Sequence, residues 1–185
     1  AVGGVMVTAS HNPGDYNGFK ICREHAKPVG EATGLKDIEA NAMSVDPAQR
    51  ATTDEARIRH VDVLEAYLDH VKKVGKRLPE RKLKIAIDCG NGMGAVSVEP
   101  LVRRWEDEGR MEVERLYFEL DGTFPNHEAD PLKVENLSDV ADAVRRVGAD
   151  FGVAFDGDGD RAVFVDDAGE PISSDLMTAL LARYQ

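Results

Sequence analysis

Apolar residues along the chain change their spacing in a way that separates strands from helices. Short apolar or alternating runs at 3–8, 17–22, 83–89, 111–118, 151–155 and 161–165 each predict a strand, the first of them buried. Elsewhere Ile58, Val61, Leu64, Leu68 and Val71 recur at three and four residues, and this stripe predicts a surface helix over 58–74. Further helices are expected over 34–43, over 95–108 with Gly109 as terminator, over 136–147, and over 173–184 with a capped start. The turn Asp166-Asp167-Ala168-Gly169 closes the strand at 161–165, which reads as the hairpin partner of 151–155. DGTFPNHEADP, from Asp121 to Pro131, holds too many turn formers for an interior element and reads as an ordered loop.

Strand, helix, strand, helix, strand is the order of an open sheet with helices on its faces; only the hairpin partner at 161–165 breaks the alternation. The polar stretch Asp46-Pro47 followed by Thr52-Thr53-Asp54-Glu55 marks a domain boundary. The chain starts without methionine and both ends cut through elements, so it reads as a piece of a larger protein. Its 185 residues carry 34 acidic against 23 basic side chains, a net charge of -11. That balance gives no broad footprint for nucleic acid, although local charge in a cleft can still suit an anionic metabolite. Cys22 and Cys89 lie in no CxxC spacing, which argues against a disulfide scaffold or structural zinc and for a reducing cytoplasm. No apolar run has the length of a membrane span, so no membrane partner is expected.

Three segments carry candidate chemistry. DGDGDR, Asp156 to Arg161, gathers Asp156, Asp158 and Asp160 on flexible backbone just after a strand. In a straight strand their carboxylates would start roughly 6.6 Å apart. Magnesium holds its ligands at about 2.1 Å, so the loop must curl, which Gly157 and Gly159 allow. Close like charges oppose folding unless a cation relieves them. A calcium loop of the EF-hand type fails here, with Arg161 where glycine belongs, Asp167 where glutamate belongs, and strands for flanks. A solvated acidic turn remains the plain alternative. TASHNP, Thr8 to Pro13, delivers Ser10 and His11 from a strand onto a loop; it is no GxSxG elbow, and adjacency alone does not pair serine with histidine. A Ser/Asn/Pro turn with local hydrogen bonds is its plain reading. GNGMGA, residues 90–95, fits a dinucleotide fingerprint with Glu112 or Glu114 about twenty residues on, but those acids fall mid-strand where the fingerprint wants one at a strand end, and a tight strand-to-helix crossing, the preferred reading, needs the same glycines without a ligand.

Taken together, TASHNPGDYNGFK (Thr8 to Lys20), DCGNG (Asp88 to Gly92), DGTFPNH (Asp121 to His127) and DGDGDR occur in the order found in the alpha-D-phosphohexomutases. The chain closely resembles that family, and most specifically its phosphomannomutase/phosphoglucomutase branch. The resemblance implies the α/β fold class: a mixed open sheet with flanking helices, a partial first domain, then a complete second α/β domain. On this basis residues 1–55 correspond to the C-terminal part of the phosphoserine domain, 56–170 to the metal-binding domain, and 171–185 to the start of a third. It further implies a cytoplasmic isomerase that interconverts hexose 1-phosphate and hexose 6-phosphate, of mannose or glucose, through a hexose 1,6-bisphosphate. Ser10 would be the phosphorylated residue. Asp156, Asp158 and Asp160, with the phosphoryl group on Ser10, would bind Mg2+. Lys20 would be the general acid/base, while His11 and Arg161 would form the polar shell around phosphoserine, and Asn12 would shape the loop. Glu128 and Ala129 stand where relatives often have His and Pro. Sugar recognition in the family resides largely in later domains, so this chain by itself is expected to lack useful turnover. A non-enzymatic magnesium or phosphosugar-binding regulatory protein is the alternative, and nothing in the sequence indicates the oligomeric state.

Overall fold

The computed structural model describes residues 2–46, 48, 58–74 and 79–184, so most of the polar stretch 46–55 lies outside the described residues. Contacts divide the chain into two units: Ala1–Thr8 with Gly18–Glu65, and Ala9–Asn17 with Ala66–Gln185. In the first unit, β1 (Gly3–Val7) pairs antiparallel with β2 (Phe19–Arg23), Val7 opposite Phe19, and helix α1 (Leu35–Ser44) follows. The run at 3–8 predicts a buried strand, but β1 is exposed along its whole length, Val7 to 71%. A two-stranded ribbon has too little sheet to cover its own faces. Helix α2 (Leu64–Val74) starts later than the stripe from Ile58 suggests. The Asp62 carboxylate accepts the Leu64 N–H at 2.9 Å, a capping contact that sets the start of the helix there, and the stripe does bury Leu68 completely.

The second unit is built on β3 (Leu83–Asp88), α3 (Gly94–Asp107), β4 (Met111–Leu116), α4 (Ser138–Val147), β5 (Phe151–Phe155), β6 (Ala162–Val165), β7 (Pro171–Ile172) and α5 (Ser174–Tyr184). Its sheet runs β4-β3-β5-β6-β7; β3 is parallel to β4 and β5, and β6 is antiparallel to β5 and β7. This is the mixed open α/β sheet with flanking helices. Two boundaries and one short strand differ from expectation for local reasons. β4 stops at Leu116 because Tyr117 takes φ +55°, incompatible with continued strand. A 3-10 turn, Val134–Leu137, precedes α4. β7 was not among the expected strands, since two residues with a proline on the sheet edge show no period.

Alternation along the strands sorts the core onto two faces. Ile85 and Ile87 of β3 join Val153 of β5 in packing with Ala95 and Val102 of α3. Ala86 and Ala154 point the other way, toward Val140, Ala143 and Val144 of α4 and Val163 and Val165 of β6. Both faces are therefore covered, which is why β3 reads as a nearly unbroken apolar run. Helix α3 continues through Pro100 despite the lost backbone donor, because its tertiary contacts outweigh the local penalty. Helix α4 ends where Gly148 adopts a left-handed conformation.

At Gly152 the sheet and α4 meet without room for a side chain. A Cβ there would lie 2.7 Å from Val165, 2.8 Å from Val144 and 2.9 Å from Val140, all methyl carbons of branched side chains. Gly152→Ala is expected to lower the unfolding free energy by about 1–3 kcal/mol, the usual cost of overpacking. Urea denaturation checks this, and an unchanged midpoint would refute the close packing.

Candidate functional site

The acidic loop begins where β5 ends and is folded by its first carboxylate. Asp156 is completely buried, and its Oδ1 accepts the backbone N–H groups of Asp160 at 3.0 Å and Arg161 at 3.1 Å. The Asp156 N–H in turn donates to the Arg161 carbonyl, and Gly159 turns the chain at φ +73°. Curled in this way, Asp156, Asp158 and Asp160 offer carboxylate oxygens within 4.8 Å of one another. Two oxygens on opposite sides of a magnesium ion, each at about 2.1 Å, are ~4.2 Å apart, so a small contraction suffices to hold one. Burial raises the Asp156 carboxyl above its ordinary pKa, and the neighbouring Asp158 and Asp160 charges add to the rise. A divalent cation would offset both effects.

Ser10 meets this loop across a sequence separation of 146 residues. Its Oγ donates toward Asp156 Oδ2 at 3.3 Å, and Asp158 Oδ1 lies at 3.4 Å. Ser10 itself holds φ +56°, a conformation costing a non-glycine residue about 1–3 kcal/mol and concentrated at functional sites. His11 Nδ1 lies 3.3 Å from the Ser10 hydroxyl and accepts from Arg161 Nη1 at 3.0 Å. The guanidinium is always a donor, so Nδ1 of His11 is held as an acceptor. The Asn12 side chain donates to the Ala9 carbonyl at 2.8 Å and closes the loop. The second unit thus brings together Ser10, His11, Asp156, Asp158, Asp160 and Arg161, whereas Lys20 is carried by β2 of the first unit, opposite Met6.

Two further loops at the ends of β3 and β4 support the acidic one. The Gly157 N–H donates to the Ala129 carbonyl at 3.2 Å, and the Gly157 carbonyl accepts from Met93 N–H at 2.9 Å. The glycine loop is therefore packed on the acidic loop, and a Cβ at Gly92 would come 2.7 Å from the Gly157 oxygen. Behind it lies a pair that sequence reasoning missed. Asp88, buried at the end of β3, accepts the Gly90 N–H at 2.7 Å and His127 Nε2–H at 2.9 Å. A carboxylate ending a mostly apolar strand needs partners, which was the available signal. Its partner sits 39 residues on, where no local pattern points back. Cys89 beside it is a buried thiol whose pKa is pushed up to about 12, first by desolvation and then by Asp88, so it is inert.

Residues 65–169 match the profile for phosphoglucomutase/phosphomannomutase alpha/beta/alpha domain II, and residues 1–49 match alpha/beta/alpha domain I. The chain belongs to the alpha-D-phosphohexomutase superfamily, in its phosphomannomutase/phosphoglucomutase branch. It is 40% identical over 188 residues to a phosphomannomutase of Escherichia coli, covering 98% of this chain and 40% of the relative. With a phosphomannomutase/phosphoglucomutase of Pseudomonas syringae pv. tomato it shares 41% identity over 179 residues, 97% of this chain and 36% of the relative. Among solved structures it is similar to a phosphoglucomutase/phosphomannomutase family protein of Burkholderia thailandensis, with TM-score 0.72 and 34% identity over 97% of this chain and 38% of that one. The chain thus spans well under half the length of these relatives. Among the described residues no helix is long and apolar enough to cross a membrane.

The Asp88–His127 contact sets a pH dependence. Its hydrogen bond to Asp88 lifts the His127 pKa from 6.5 to about 9 against the opposing effect of burial. A raised folded-state value means the pair stabilises fully below pH 6.5, and the contribution is lost as pH rises to about 9. Stability is expected to fall by about 2–3 kcal/mol across that window. Urea unfolding at both ends of the window checks it, with His127→Gln expected to show no such fall.

Proposed function

We propose that this chain carries the phosphoserine loop and metal-binding domain of a phosphohexomutase. The reaction is the interconversion of hexose 1-phosphate and hexose 6-phosphate, of mannose or glucose, through a hexose 1,6-bisphosphate. In this reading 1–55 is the C-terminal part of the phosphoserine domain, 56–170 the metal-binding domain, and 171–185 the entry to a third. The observation that carries the proposal is the approach of Ser10 Oγ to two of the clustered carboxylates, 3.3 Å from Asp156 and 3.4 Å from Asp158.

A hydroxyl next to paired carboxylates has no strong base of its own beyond them, but it suits a phosphoryl group whose charge is shared with a cation. Asp156, Asp158 and Asp160, with an oxygen of phosphorylated Ser10, would hold Mg2+. When bound, the ion would offset charge on the transferring oxygens. Ser10 would give its phosphoryl group to the free sugar hydroxyl and regain one from the other end of the bisphosphate. Each transfer breaks one phosphorus–oxygen bond and forms another, and a proton moves from the accepting hydroxyl to the leaving oxygen. Lys20 is the residue proposed to carry that proton. Arg161, whose Nη1 donates to His11 Nδ1, would turn its remaining N–H donors to the phosphoryl oxygens as a fixed cation, and His11, with its Nδ1 lone pair taken by that bond, would hold the guanidinium in place beside Ser10.

Incubation with glucose 1,6-bisphosphate and Mg2+ is expected to add one phosphoryl group to the intact mass, and Ser10→Ala to abolish the addition. Asp158→Ala is expected to weaken Mg2+ binding by more than about tenfold, since even partners one step removed from a metal cost that much. An unmodified wild type would leave only a binding protein, and a gain that survives Ser10→Ala would overturn the role of Ser10 as the phosphoryl acceptor.

A further inference from the structure

Both backbone polar groups of Gly157, the residue between the first two metal-site aspartates, are bound by segments tied to one buried carboxylate. Asp88 Oδ1 holds the Gly90 N–H at the head of the glycine loop, whose Met93 N–H binds the Gly157 carbonyl. Asp88 Oδ2 holds His127, and two residues later the Ala129 carbonyl accepts the Gly157 N–H. We propose that Asp88 and imidazolium His127 form a positioning pair that clamps Gly157 from both sides and thereby sets the divalent-cation affinity of the Asp156–Asp158–Asp160 loop. The affinity part rests on the metal reading above; the clamp itself does not.

Geometry favours the charged ring. His127 Nε2 lies 2.9 Å from the Asp88 carboxylate, and Nδ1 lies 2.8 Å from the Glu128 carbonyl. Both partners only accept, and a neutral imidazole has a single N–H, so the neutral ring would leave one acceptor facing a lone pair. The Asp88 side of the ring is buried, where a lost hydrogen bond is costly, while the Glu128 side lies nearer the surface. The groups around it favour the cation. Asp88 faces it from β3, the charge of Asp139 of α4 acts on it directly, and Tyr117, whose hydroxyl donates to Asp139 at 2.7 Å, meets His127 edge-on at 5.3 Å. Gly90 presents only its backbone, and the Glu128 carboxylate is occupied by Lys133. The raised pKa of about 9 agrees with this arrangement.

Two readouts on the whole chain test the pair separately. In the metal-free protein, the ring state of His127 is followed by long-range proton–nitrogen correlation, alongside the Gly157 and Ala129 carbonyl-carbon resonances. Those resonances are expected to move with the same midpoint as the ring, near pH 9. Carbonyl signals that ignore the ring's titration, or a ring that titrates near 6.5, overturn the clamp, and this arm needs no variant. In the second arm, Mg2+ is titrated calorimetrically at pH 7.5 and pH 9.5. Wild-type affinity is expected to fall several-fold at the higher pH. His127→Gln and Asp88→Asn are expected to bind roughly 10- to 100-fold more weakly at pH 7.5 and to lose the pH dependence, the range seen when a ligand's supporting partner is removed. Variant affinities equal to wild type overturn the link from clamp to metal, whereas a wild type that binds no Mg2+ at either pH overturns the metal reading instead.

Discussion

Gly157 has no side chain, and neighbouring segments use the space one would fill. A Cβ at this position would sit 2.3 Å from the Ser10 carbonyl oxygen and 3.6 Å from the Ala129 methyl. The serine loop can therefore lie directly on the backbone of the acidic loop, which is what brings a hydroxyl and two carboxylates within 3.4 Å. Any larger residue would push the serine loop off and leave an acidic turn with no group to act on. Side-chain chemistry at this site thus depends on a backbone approach, and that approach depends on one residue being the smallest available.

Electrostatics alone would not assemble these parts. Asp156 is fully buried with one oxygen committed to backbone donors, and the Asp158 and Asp160 charges beside it are offset on the protein's side by Arg161, whose Nε lies 4.0 Å from the other Asp156 oxygen. In that setting ionisation is harder than for an ordinary carboxyl, and the loop keeps its shape because the two N–H bonds to Oδ1 and the anchoring of Gly157 hold it. The scaffold resists a repulsion that a bound cation would turn into attraction. Such preorganisation serves a binding site, since the curling of the loop need not be driven by the ligand. The left-handed Ser10 has the same character: local strain maintained by surrounding contacts.

Much of this architecture was legible in the chain. The parallel strands and their helices announced themselves by unbroken apolar runs and a period near 3.6, because both faces of β3 and β5 are buried. Where burial is one-sided or missing, the same signal misleads. β1 has the apolar content of a core strand, but among the described residues it pairs only with β2 and stays exposed. The start of α2 and the end of β4 were set by single local events, the Asp62 capping contact and the positive φ of Tyr117, which a window of average hydropathy cannot resolve. At the site, the acidic triplet was readable from spacing, and its pairing with Ser10 came from resemblance. The Asp88–His127 pair was not readable because its partners come from separate loops whose meeting is a property of the sheet order.

Sheet order also decides what the glycine loop can do. β3 lies between β4 and β5, so the loops after β3 and β5 meet at the carboxyl ends of neighbouring parallel strands, the position where open α/β sheets bind ligands. A dinucleotide site there needs backbone N–H groups directed at a pyrophosphate. Here they are already committed. Gly90 N–H donates to Asp88, Asn91 N–H to the Tyr117 carbonyl, Gly92 N–H to the Cys89 carbonyl, and Met93 N–H to Gly157. A pyrophosphate would have to break all four bonds and displace the acidic loop, placing its own negative charge beside three carboxylates. The fingerprint glycines thus serve the second reading they allow: they let one loop lie against another, and the ligand-binding end of the sheet is given over to the aspartates.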